Sequence, residues 1–145
     1  MEEVRLLIGG AWAEGAEGKE RLSILNPADE EVIGTASVAT EAQVDAAVEA
    51  AEQAFRAWSR TSPTHRAALL RRAAELVQER LESLARLLTL EQGKPLRDAR
   101  GEIQASIDAL EYYAEEARRI CGRTIPTDHP NRRSLVIYQP VGPVA

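Results

Sequence analysis

Apolar positions along this chain change their period near residue 40. Before it they come in short extended runs separated by turn residues. Arg5 to Ile8, Gly9-Gly10 and Ala11 to Ala13 predict a hairpin, because two adjacent glycines supply the positive φ angles that a two-residue turn needs. Gly15 and Gly18 mark a loop. Leu22 to Leu25 is a second extended piece, ended by Asn26-Pro27, and Glu31 to Ala36 resumes after Ala28, Asp29 and Glu30. Together these pieces predict a small antiparallel sheet.

From Thr40 onward the period is about 3.6 residues. Thr40 and Gln43 form a Thr-x-x-Gln capping box, and Val44, Ala47, Val48, Ala51, Phe55 and Trp58 share one helical face. Ser62-Pro63 starts a second helix, since proline at the first helical position gives up an N–H that has no partner there. Its stripe is Leu69, Leu70, Ala73, Leu76 and Val77, and Leu84, Leu87 and Leu88 continue the apolar face as a separate short helix around Glu82. Gly93-Lys94-Pro95 stops it. A fourth helix from Leu96 carries Ala99, Ile103, Ile107, Leu110, Ala114 and Ala117, with Gly122 expected to close it. Four one-faced helices must cover something, either each other or the face of a sheet. Beyond Gly122 the chain is irregular through Pro126, Asp128, Pro130 and Asn131, and Ser134 to Gln139 reads as a strand. The final Pro140-Val-Gly-Pro-Val-Ala145 reads as a buried strand cut short.

Composition narrows the classes. With 145 residues, 44% of them hydrophobic, the chain fits one average domain. No apolar run approaches the roughly 18 to 20 residues of a membrane-spanning helix, and Glu2 and Glu3 stand where a signal peptide carries basic residues. No membrane association and a cytoplasmic location are therefore expected. A formal net charge of −5 is the wrong sign for phosphate-backbone affinity, so nucleic acid is not an expected partner. One cysteine, Cys121, excludes an intrachain disulfide framework and a multi-cysteine zinc site.

Candidate chemistry is sparse. Cys121 lies at the expected C-terminal end of the fourth helix, where carbonyl oxygens disfavour a thiolate, although Arg118, Arg119 and Arg123 oppose that effect. His65, in the first turn of the second helix, and His129, in a turn, read as solvated and have no metal-ligand spacing. Glu111, Glu115 and Glu116 imitate a paired-carboxylate site but read as helix surface. Gly9-Gly10 is no GxGxxG fingerprint, and Gly93-Lys94 precedes proline instead of the Ser or Thr of a phosphate loop.

Six ordered blocks carry a resemblance: Leu7-Ile8-Gly9-Gly10-x-Trp12, Asn26-Pro27-Ala28 with Val32-Ile33-Gly34, Ala54-Phe55-x-x-Trp58, Arg66-x-x-Leu69-Leu70, Leu90-Glu91-Gln92-Gly93-Lys94-Pro95-Leu96, and Gln139-Pro140-Val141-Gly142. They resemble the amino-terminal part of the NAD(P)-dependent aldehyde dehydrogenase superfamily, from about Arg5 to Ala145. Glu91 to Glu102 and Tyr112 to Ile125 look most like its succinate-semialdehyde dehydrogenase branch.

The resemblance implies an α/β fold in which hairpins and four amphipathic helices (1–122) form the periphery of the coenzyme-binding domain, its Rossmann-like sheet largely missing. It implies an oligomerisation-type arm over 123–140 and the start of the first sheet strand at 141–145. The complete enzyme would be a homo-oligomer oxidising a small aldehyde, in this branch succinate semialdehyde, with NAD or NADP. The family mechanism uses a cysteine thiolate, an oxyanion held by an asparagine and a main-chain N–H, hydride transfer, and a glutamate that activates water. None of those motifs occurs here, and Cys121 does not match the catalytic one. No catalytic or coenzyme-binding residue is therefore assigned, the chain alone is expected to be inactive, and no firm coenzyme binding by it is expected. A monovalent cation near the Asn-Pro turn would draw on the Leu25 carbonyl and the Glu102 carboxylate. The competing readings are a noncatalytic structural or oligomerising module of the same fold, and an unrelated helical interaction protein, against which the ordered blocks argue.

Overall fold

The computed structural model describes residues 2–15 and 21–144. The loop expected at Gly18 and the strand end at Ala145 lie outside the described residues. Five short strands come first: β1 (Glu2–Val4), β2 (Leu6–Ile8), β3 (Ala11–Ala13), β4 (Leu22–Leu25) and β5 (Val32–Ala36). Four helices follow, α1 (Glu41–Trp58), α2 (Pro63–Glu79), α3 (Leu81–Gln92) and α4 (Leu96–Glu116), then strands β6 (Arg123–Ile125) and β7 (Ser134–Val136).

The first hairpin forms as expected. β2 and β3 pair antiparallel with Leu7 opposite Trp12, and Gly9 and Gly10 turn the chain at φ +58° and +83°. The expected antiparallel sheet needs correction. β4 and β5 do pair antiparallel, but β1 adds to the other edge of β5 in parallel, giving the order β1-β5-β4, while β2–β3 stands as a separate ribbon. Ser37 N–H closes the parallel pair by donating to the Val4 carbonyl at 2.9 Å.

The helix starts follow their caps. Thr40 Oγ1 accepts from Gln43 N–H, and Gln43 Oε1 accepts from Thr40 N–H at 2.9 Å, completing the reciprocal box. Ser62 caps α2 through His65 N–H, with Pro63 at the first position. α3 ends at Gly93 in the left-handed conformation, φ +74°. α4 does not run to Gly122. It ends at Glu116 and unwinds through a tight turn in which Arg118 and Arg119 N–H donate three residues back, to the Glu115 and Glu116 carbonyls. Gly122 serves another purpose: a Cβ there would strike the Val136 carbonyl oxygen, so glycine lets the chain pass closely beside β7. The segment beyond Gly122 is correspondingly less irregular than its composition suggests, because β6 pairs antiparallel with β7, Thr124 opposite Leu135. β7 itself stops at Val136, short of Gln139.

The core lies between α2, α3 and α4. α2 packs along α4, and α3 packs on α4 beside it. Its buried apolar residues are Ala67, Ala74, Ala85, Ala99, Ile107 and Ala114. Ala67 and Ala74, like Ile107 and Ala114, are seven residues apart, so small side chains recur along one seam and let the helix axes approach. α1 stands apart from this layer. It buries none of its residues, its main contact is with β2, and Val44 and Val48 on its apolar face are 53% and 50% exposed.

Candidate functional site

The Asn26-Pro27 turn meets the loop between α3 and α4 in close contact. Asn26 is the one buried polar residue among the described residues. Its side-chain Oδ1 accepts from Ala28 N–H at 3.1 Å, and its Nδ2 donates to Asp29 Oδ2 at 3.0 Å. Its main chain bridges the turn, N–H to the Glu31 carbonyl and carbonyl from Glu30 N–H, which leaves Glu30 at φ +62°. Pro27 then lies against Gly93: a Cβ on that glycine would sit 2.8 Å from Pro27 Cγ. One residue further on, Lys94 Nζ pairs with Glu102 Oε2 in the second turn of α4.

This chain of contacts links the turn that follows Leu25, the last residue of β4, through Pro27, Gly93 and Lys94 to Glu102. It also shows what the sequence reading missed. Lys94 belongs to the helix stop and to a resemblance block and is no phosphate-loop lysine; it neutralises the carboxylate considered for the cation, a pairing that neither pattern signals. Two oxygen donors, one already paired with an ammonium, do not by themselves fit a monovalent cation, which takes several oxygens. Among the described residues no group of three His, Cys, Asp or Glu could hold a metal.

The other singled-out residues are scattered. Cys121 is exposed and lies beyond the end of α4, not in its last turn. His65 sits in the first turn of α2 and His129 in the turn between β6 and β7. Glu115 and Glu116 pair with Arg119, at 2.9 and 3.4 Å, and form no acid/base couple. The starts of α1 and α2 are closed by their own caps, Gly9-Gly10 turns a hairpin, and Gly93 ends a helix.

An interhelical ion pair and two open grooves add to the geometry. Arg100 in α4 grips Glu82 in α3 bidentately, at 2.8 and 2.9 Å, and this contact lowers the Glu82 pKa from its ordinary value. An apolar groove of about 430 Å³ beside β2 and α1 is lined by Leu7, Val44, Ala47 and Val48 and also by Pro143 and Val144. A second, of about 370 Å³, lies where Trp58, Arg66, Ile120 and Tyr138 meet.

Helices with open apolar faces, small sheets and an exposed two-stranded ribbon define an α/β protein. The chain belongs to the aldehyde dehydrogenase family, whose model matches residues 12–145. It is 45% identical over 138 residues to a glutarate-semialdehyde dehydrogenase of Pseudomonas putida, covering 95% of this chain and 28% of that one. It is 40% identical to the NADP+-dependent succinate-semialdehyde dehydrogenase of Escherichia coli, covering 96% of this chain and 29% of the relative. The crystal structure of succinate-semialdehyde dehydrogenase from Burkholderia pseudomallei superposes with a TM-score of 0.83 at 38% identity, over 90% of this chain and 27% of that one. The chain thus spans less than a third of the length of these relatives and matches their amino-terminal portion. The sequence-level expectations of family, branch and fold agree with these matches.

Proposed function

We propose that these residues serve an NAD(P)-dependent aldehyde dehydrogenase as the outer helical layer of its coenzyme-binding domain (1–122) and as its subunit-contact arm (123–140). Residues 141–145 begin the sheet that α1 covers. The observation that carries this reading is the groove beside α1. Val44, Ala47 and Val48 line it together with Pro143 and Val144, which supports a strand from this segment packing on α1. The exposed β6–β7 ribbon supports the arm, because an isolated two-stranded ribbon is marginal in water and Leu135 and Ile137 are solvent-exposed. The complete enzyme would be a cytoplasmic homo-oligomer that oxidises a small semialdehyde, succinate or glutarate semialdehyde, to the carboxylate. No membrane or nucleic-acid partner is proposed.

In this reading the chain's residues shape and position, and catalyse nothing. The nicotinamide coenzyme would accept the hydride, and no step is assigned to it through these residues. The Leu25 carbonyl and Glu102 carboxylate contribute to a monovalent-cation site only if further oxygens come from elsewhere and the Lys94 ammonium yields. The test there is whether potassium raises the melting temperature of the complete enzyme more in Lys94→Ala than in the parent; equal responses would remove the site.

The main test is turnover. The pure 145-residue chain should give no NAD(P)H from either semialdehyde above the enzyme-free rate, whereas the product of a reading frame with the full family length should be active. Reproducible turnover by the short chain would overturn the assignment. A native gene product with the mass of this chain alone would favour the noncatalytic module instead.

A further inference from the structure

We draw no further inference here: the strongest candidate, the cleft between the end of α1, the start of α2 and the segment after β7 where Trp58, Arg66, Ile120 and Tyr138 meet, carries nothing, because Arg66 already donates to the Thr61 carbonyl at 2.6 Å and nothing in the structure shows what covers its apolar walls.

Discussion

Gly93 has two duties, and only one could be read from the sequence. A glycine after an amphipathic run signals a left-handed helix end, and its φ of +74° agrees. Its second duty, leaving room for Pro27 from 66 residues away in the chain, depends on a tertiary contact that no local pattern encodes. Gly93→Ala should therefore cost about 1–3 kcal/mol, from the left-handed backbone and the collision with Pro27 together. Gly101→Ala makes the opposite case, since that glycine lies inside α4 with open space where a Cβ would go, and the change should add about 0.5–1 kcal/mol. Urea midpoints followed by far-UV circular dichroism should move in opposite directions; a shared direction would refute the account. The same limit on local reading applies to Lys94 and Glu102, eight residues apart across a proline helix start, outside any i,i+4 relation. Glu82 gives a pH test. Its pKa is held below the ordinary 4.5 by Arg100, so the pair's contribution is complete above about pH 4.5 and fades as pH falls through the lowered value. Both side chains are exposed, so the effect is small and screened by salt. Glu82→Gln should flatten the acid limb of melting temperature against pH at low ionic strength, and an unchanged limb would show the pair to be inert.

At the scale of elements, what lay in the chain's own covalent neighbourhood was legible and what depended on a distant edge was not. Caps are local, so the starts of α1 and α2 were readable from Thr40-x-x-Gln43 and Ser62-Pro63. Thr40→Ala should cost α1 about 1 kcal/mol. Because α1 buries none of its residues, that loss should appear as faster amide exchange in its first turn, with α2 and α4 unaffected. β1 was not readable: Glu2 and Glu3 show no apolar alternation, and the strand exists because β5 offers a free edge in register with Glu2 to Val4. β6 escaped for the same reason, since a three-residue strand is set by its partner. Gly122 was misread as a helix stop because a close backbone approach and a helix end both demand glycine. Gly122→Ala should consequently disturb β6–β7 and leave the helical signal intact. Loss of protection at Thr124 with unchanged helicity is the expected result; a shortened α4 would restore the capping role.

At the scale of the whole molecule, the exposed surface is large for the mass. Its accessible surface is 11416 Å², whereas a folded monomer of this mass exposes about 7,400 Å² by the usual size scaling. Among the described residues the buried ones are alanines apart from Gly34, Ile107 and Asn26, and no large side chain is fully buried. Large apolar side chains are exposed along α1 at Val44 and Val48, at Trp58 and Ile120, on the ribbon and its exit at Leu135, Ile137, Tyr138 and Val141, and also at Leu7, Trp12 and Leu22 among the first strands and at Tyr112 and Tyr113 on α4. Helix periodicity showed that these faces are apolar but not what they meet, because an apolar stripe looks the same whether it packs on a helix or on a sheet. Helical content and tertiary order should therefore part company in the isolated chain. Capping and the alanine seam of α2 and α4 should preserve a far-UV helical signal, while the uncovered faces bind anilinonaphthalene sulfonate, self-associate as concentration rises and melt over a broad range. Sedimentation combined with calorimetry checks this. A monomer with a single sharp calorimetric transition would show that the chain closes its own core, and would turn the reading from part of an enzyme to an independent module.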